Sequence, residues 1–133
     1  MSDKLPPPMG SYPSAKRAGN LLFVSGMGSR DAATDNVPGL EMDKHGKYLK
    51  FDFEAQVHSV FKNVKTALEE NGSSWNRIVD VTVFLTDIKR DFQTYNRIYA
   101  EYFKDNQPAR TTVEVNALPS TISIEVKVIA IID

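Results

Sequence analysis

The stretch over residues 107–132 constrains the fold more than any other part of the chain. It reads Gln-Pro-Ala-Arg-Thr-Thr-Val-Glu-Val, then Asn-Ala-Leu-Pro, then, after one serine, Thr-Ile-Ser-Ile-Glu-Val-Lys-Val-Ile-Ala-Ile-Ile. Two strand-like runs, 111–115 and 121–132, are joined by a Pro-containing turn. In the longer run Ile122, Ile124, Val126, Val128 and Ala130 alternate onto one face. The other face reads Ser123, Glu125, Lys127, Ile129, Ile131, polar at one end and apolar at the other. The first face calls for a covering layer. The apolar end of the second needs cover that helices on the opposite face cannot give, and such a patch marks an interface. A homo-oligomer with sheet faces packed together is therefore expected.

The remaining segments supply the layer. Phe53, Val57, Val60, Phe61, Val64 and Leu68 fall at helical spacing, with Lys62, Lys65 and Glu69 opposite. Asp52 is the expected N-cap of this helix and Gly72 its stop. A second amphipathic helix is predicted over 92–104, with a stripe of Phe92, Tyr95, Ile98, Tyr99, Tyr102 and Phe103 and with Asp91 as its cap. Between the two helices Val79, Val81, Val83 and Leu85 alternate with Asp80, Thr82 and Phe84, which predicts a strand. Upstream, the Gly19-Asn20 pair between runs at 15–17 and 21–25 is a hairpin signal. Gly26 and Gly28 end that hairpin, and small residues there let a ligand or another backbone come close. Residues 30–47 are polar and turn-rich, a long loop of the kind used for function or contacts, and a brief strand follows at 48–51. The order β-β-(β)-α-β-α-β-β predicts an α+β fold, a mixed sheet with two helices on one face.

At 133 residues the chain reads as one domain, 1–133, opening with a Pro-rich extended segment over 1–10. The net charge of −1 gives no long-range pull toward nucleic acid or an anionic membrane. There is no cysteine, so thiolate ligands and disulfides are excluded. His45 and His58 lie far from any second ligand at metal-binding spacing, so no metal site is expected. No apolar run resembles a signal peptide or a membrane span, which makes the cytoplasm the default location.

A few residues stand out as chemistry. Arg110 follows Pro108-Ala109 at the start of a strand, where it is either a surface ion-pair partner or a carboxylate clamp with two parallel N–H donors. Glu125 sits among β-branched residues, where glutamate is disfavoured. It is either solvated and paired with a cation such as Lys127, or a proton acceptor and donor at an interface. Tyr12, in Gly10-Ser11-Tyr12-Pro13, either packs as a lid or aims its hydroxyl at a ligand. Asn96 is a poor helix former on the second helix, either solvated or bonded across a subunit boundary. Phosphate loops and the Gly-x-Ser-x-Gly elbow are absent.

Further segments carry a resemblance: Gly10-Ser11-Tyr12-Pro13-Ser14-Ala15; Leu22-Phe23-Val24-Ser25-Gly26; Gln56 with Asn63-Val64 and Leu68; 79–85; Phe92, Tyr95-Asn96 and Tyr99; and Pro108-Ala109-Arg110-Thr111-Thr112-Val113-Glu114-Val115 with Leu118-Pro119 and Ile124-Glu125. Together they resemble the Rid/YjgF family of reactive enamine/imine deaminases over nearly the whole length. The resemblance implies a chorismate-mutase-like fold and a homotrimer with a central barrel of sheets, helices outside and three inter-subunit clefts. It implies a cofactor-free hydrolysis of small enamine/imine carboxylates to ammonia and a 2-oxo acid. Arg110 would bind the substrate carboxylate and Glu125 would activate water. Tyr12, Asn96 and main-chain groups near Gly26 and Thr112 would contact substrate.

Three departures stand beside the match: Thr112 where many members have cysteine, one extra residue within 87–91, and a longer loop over 30–50. That loop, with Pro38 to Glu41, and the opening Pro-Pro-Pro-Met-Gly-Ser-Tyr-Pro are similar to the 2-aminomuconate deaminase branch. Such a substrate has a second carboxylate, for which Arg30, Lys89 and Arg90 are candidate partners. The alternatives are a general 2-iminoacid or 2-aminoacrylate deaminase and a trimer that binds small acids without turning them over.

Overall fold

The structure is a computed structural model that describes residues 5–133. The chain begins with a hairpin, β1 (Ala15–Ala18) and β2 (Leu21–Val24), in which Ala18 faces Leu21 across Gly19-Asn20. Gly19 takes a φ of 61°, the left-handed conformation the turn requires. A two-residue strand, β3 (Met27–Gly28), resumes after a break at Ser25-Gly26 and pairs with the last strand. The long polar loop holds its own small hairpin, β4 (Glu41–Met42) with β5 (Tyr48–Lys50). Helix α1 (Phe53–Glu70) follows, then strand β6 (Ile78–Leu85), helix α2 (Ile88–Tyr102), β7 (Ala109–Glu114) and β8 (Ile124–Ile131).

The main sheet runs β1-β2-β8-β6-β7, with β3 also on β8. The α+β architecture with two helices over a mixed sheet is the predicted one. Two details of the sheet differ from expectation. The strands of the C-terminal quarter are not neighbours, because β6 lies between them, antiparallel to β8 and parallel to β7. The Pro-containing connection is thus a crossover rather than a hairpin. The alternation of β6 also slips once. A register shift between Ile78 and Asp80 turns Val79 outward, 39% exposed, and puts Ile78 into the core instead.

One face of the sheet carries the core. Val81, Val83 and Leu85 of β6 lie opposite Val128, Val126 and Ile124 of β8, all buried beneath α1 and α2. The α1 stripe Phe53, Val57, Val60, Phe61, Val64 and Leu68 is buried as the periodicity implies. Asp52 caps the helix by accepting from Ala55 N, and Gly72 takes a φ of 88° just beyond its end. Helix α2 starts a turn earlier than expected. Its cap is Asp87, which accepts from Arg90 N at 3.1 Å, while Glu114 of β7 accepts from Ile88 N at 2.9 Å. Asp91, the predicted cap, is instead buried in the first turn and held by both Nε and Nη2 of Arg90.

The other sheet face has no covering layer among the described residues. It presents Phe84, Ile129 and Phe23, with Val113 and Ile131 more than a third exposed. The extended segment expected over 1–10 lies at 1–4 outside the described residues. Its remainder is tied down by the buried Leu5 and by Pro7 O, which accepts from Arg30 Nη2 at 2.7 Å. Among the described residues no helix is long and apolar enough to cross a membrane.

Candidate active site

Register decides where the two charged residues of the C-terminal quarter stand. Arg110 lies beside Val81, so it shares the helix-covered face. Glu125 pairs with Phe84, so it belongs to the bare face. Two strand spacings and three residues of offset separate them, roughly 14 Å between Cα atoms. A single small acid does not bridge that gap through a sheet. The predicted site residues accordingly fall into two groups.

The first group surrounds Glu125. A cleft of about 470 Å³ is lined by Tyr12, Gly26, Arg30 and Glu125, with Pro7 and Pro119 among its walls. It opens where β2 breaks before β3. A Cβ on Gly26 would stand 2.6 Å from Glu125 Oε2, so only glycine leaves this carboxylate its position. Burial pushes the Glu125 pKa up from its ordinary value, and the nearby Lys127 ammonium opposes that rise. Arg30 is largely consumed by the scaffold: Nη1 donates to Asp35 Oδ1 and Nη2 to Pro7 O, both at 2.7 Å.

The segment beside Glu125 is held from behind by a buried polar network. Gln56 Oε1 accepts from Ser123 N at 2.9 Å and from Ser29 Oγ at 3.1 Å. Asn63 Nδ2 donates to Gly28 O and Arg30 O, both at 2.9 Å, and Ser59 Oγ donates to Ser29 O at 2.8 Å. These bonds fasten β3 and the start of β8 to α1. Gln56 and Asn63 enter the sequence pattern only through the family resemblance, without a role of their own. Their signal was two polar side chains seven residues apart within an apolar stripe.

The second group surrounds Arg110. Its Nε donates to Thr112 Oγ1 at 2.9 Å and its Nη2 to Asn96 Oδ1 at 2.6 Å. The guanidinium lies 4.6 Å from the Tyr99 ring centroid, with Tyr95 and Phe92 at 5.5 and 5.8 Å. A shallow notch lined by Asn96, Tyr99, Lys104, Gln107 and Arg110 opens beside it. Burial raises the pKa of Tyr95 and of Tyr99, while Arg110 opposes the rise, so both phenols stay neutral. Arg90, a candidate for a second carboxylate, is bound to Asp91 and stacked on Phe51 at 4.3 Å; Lys89 is exposed.

Among the described residues neither Arg110 nor Glu125 has an ion-pair partner, and no cluster of side chains could hold a metal ion. Each charge is kept in place and left unspent.

Comparison with known proteins identifies the family. A family model described as Endoribonuclease L-PSP matches residues 2–132. A RutC family protein of Pyrococcus abyssi is 40% identical over 97% of this chain and 92% of its own length. Reactive Intermediate Deaminase A of Arabidopsis thaliana, a chloroplast protein, is 37% identical over 97% of this chain and 63% of its own. The crystal structure of Escherichia coli TdcF with bound serine superposes with a TM-score of 0.85 at 27% identity, covering 100% of this chain and 97% of that one. On the family match and the 40% identity, the chain belongs to the Rid/YjgF family, the group the L-PSP model describes.

Proposed function

We propose that the protein is a cofactor-free hydrolytic deaminase of small enamine/imine carboxylates. Its working site forms where the Glu125 cleft of one copy meets the Arg110 notch of a second, in a homotrimer. The observation that carries this reading is the pair of unspent charges: a carboxylate with a raised pKa and an arginine without an acid partner among the described residues. The bare apolar sheet face supports the assembly. The deaminase name of the Arabidopsis relative and the serine held by TdcF, a small amino acid, support the substrate class.

In this mechanism Arg110 holds the substrate carboxylate and draws electron density from the adjacent imine carbon. Glu125 takes a proton from water as the water oxygen bonds that carbon, then delivers the proton to the imine nitrogen. The carbinolamine collapses as Glu125 removes the hydroxyl proton and the nitrogen is protonated again. The C–N bond breaks, ammonia leaves and a 2-oxo acid remains. Positioning and acid–base help suffice, because imines hydrolyse readily. Desolvation of Glu125 suits the role by making the carboxylate a stronger base.

The finer proposal is 2-aminomuconate as substrate. With Arg30 and Arg90 engaged internally, Lys89 is the candidate left for its far carboxylate. Turnover of 2-aminomuconate beside 2-aminoacrylate tests it. The family description names an RNA-cleaving activity, but a net charge of −1 favours a small acid over a polyanion. The deciding experiment is ammonia release from an imine generated in situ by an amino-acid oxidase. Arg110→Ala and Glu125→Gln are each expected to lose at least about 100-fold in kcat/KM. Near-parental rates in both would overturn the reading.

A further inference from the structure

Thr112 lies two residues beyond Arg110 on β7, on the same face, half-buried against Val83 of β6. Its Oγ1 accepts the Arg110 Nε–H at 2.9 Å while Asn96 Oδ1 accepts from Nη2 at 2.6 Å. Those two bonds decide which part of the guanidinium a ligand can use. An arginine offers a carboxylate two forks, the side edge made of Nε and Nη2 or the end made of Nη1 and Nη2. With Nε spent on Thr112, the side edge is closed; Asn96 takes one of the two Nη2 hydrogens, and Nη1 has no partner among the described residues, so the donors left over are Nη1 and the second Nη2 hydrogen. The Tyr99 ring lies alongside, with 4.6 Å from the guanidinium carbon to its centroid, and leaves the Thr112 bond to fix the roll of the plane.

We propose that the Thr112 hydroxyl is a positioning residue that turns Arg110 end-on to the site, so that substrate carboxylates are gripped through Nη1 and Nη2. This inference rests on the reading of Arg110 as the carboxylate receptor and adds the orientation it works in. A hydroxyl suits the task because it is a good acceptor and short enough to reach Nε along one strand. A methyl in its place leaves Nε–H free, opens the side edge and lets the plane roll. A thiol, a weak acceptor, holds it only loosely.

The test uses Thr112→Val, which keeps volume and strand propensity, with Thr112→Ser as the rescue. Binding of pyruvate, a 2-oxo acid that the enzyme does not hydrolyse, is measured by calorimetry, and steady-state ammonia release gives KM and kcat. Thr112→Val is expected to weaken pyruvate binding and raise KM by about tenfold, on the scale of one hydrogen bond to a charged group. Its kcat should change far less, and Thr112→Ser should stay within about twofold of the parent on both measures. An unchanged KM in Thr112→Val, or a loss that Thr112→Ser fails to restore, would overturn the positioning role. Arg110→Ala separates the two levels. If it binds pyruvate as the parent does, the carboxylate-receptor reading itself falls. If it loses binding while Thr112→Val keeps it, only the role of Thr112 falls.

Discussion

Gly26 and Glu125 fit together as one steric unit made of two residues. The carboxylate occupies the space that a side chain at position 26 would need. Because the displaced atom is the tip of a flexible side chain, Gly26→Ala is expected to leave the fold nearly intact and to move the carboxylate. A shift of about 1 Å costs up to about 100-fold in rate, so kcat should fall by ten- to about a hundredfold while the melting temperature changes little. Scanning calorimetry beside an ammonia assay checks both halves. Glu125 also gives a pH signature. Its folded-state pKa is raised, so at a pH below the ordinary carboxylate range the parent and Glu125→Gln should be equally stable. As pH rises through the raised value, the parent ionises a half-buried group and loses stability that Glu125→Gln keeps. Thermal melts from acid to neutral pH should show the variant gaining on the parent. A gap in the opposite direction would mean that a hidden partner stabilises the carboxylate.

The elements that carry the site are fixed at their ends. Helix α2 presents Asn96 and Tyr99 to Arg110, and its first turn is held by Asp87 and by Glu114. Glu114 belongs to the same strand as Arg110, so the cap also locks helix to strand. Asp87→Ala is expected to cost about 1 kcal/mol in urea unfolding, the usual worth of an N-cap. Its effect on catalysis should stay small while Glu114 remains in place. The periodicity of α2 was legible, but its start was not. Asp87 and Asp91 are both good caps by residue type, one turn apart. What separated them was the bond of buried Asp91 to Arg90, whose guanidinium lies over the Phe51 ring, a contact made by the 48–51 segment far away in sequence.

Over the whole molecule, the sheet acts as a partition. It keeps Arg110 and Glu125 on opposite faces. In the proposed trimer a productive site then draws its acid from one copy and its cation from another. Arg110→Ala and Glu125→Gln should therefore complement each other. Refolded together in equal amounts, the two inactive variants should recover about a quarter of parental ammonia release, since that share of random interfaces joins an intact Glu125 to an intact Arg110. Recovery near zero would place both groups in the service of a single chain.

Local pattern by itself determined strands β1, β2, β5, β6, β7 and β8, both helices, the apolar stripe of α1, its Asp52 cap and the Gly19-Asn20 turn, because each depends on neighbours within a few residues. The C-terminal motif also singled out Arg110 and Glu125 as the candidates on which the proposed chemistry rests. Only the tertiary structure decided that β6 runs between β7 and β8, that Val79 leaves the core, that Arg30 and Arg90 serve the scaffold, and that Gln56 and Asn63 hold the wall behind Glu125. Alternation tells which residues of a strand share a face. Which strand lies alongside, and so which faces meet, is settled by packing between segments far apart in sequence.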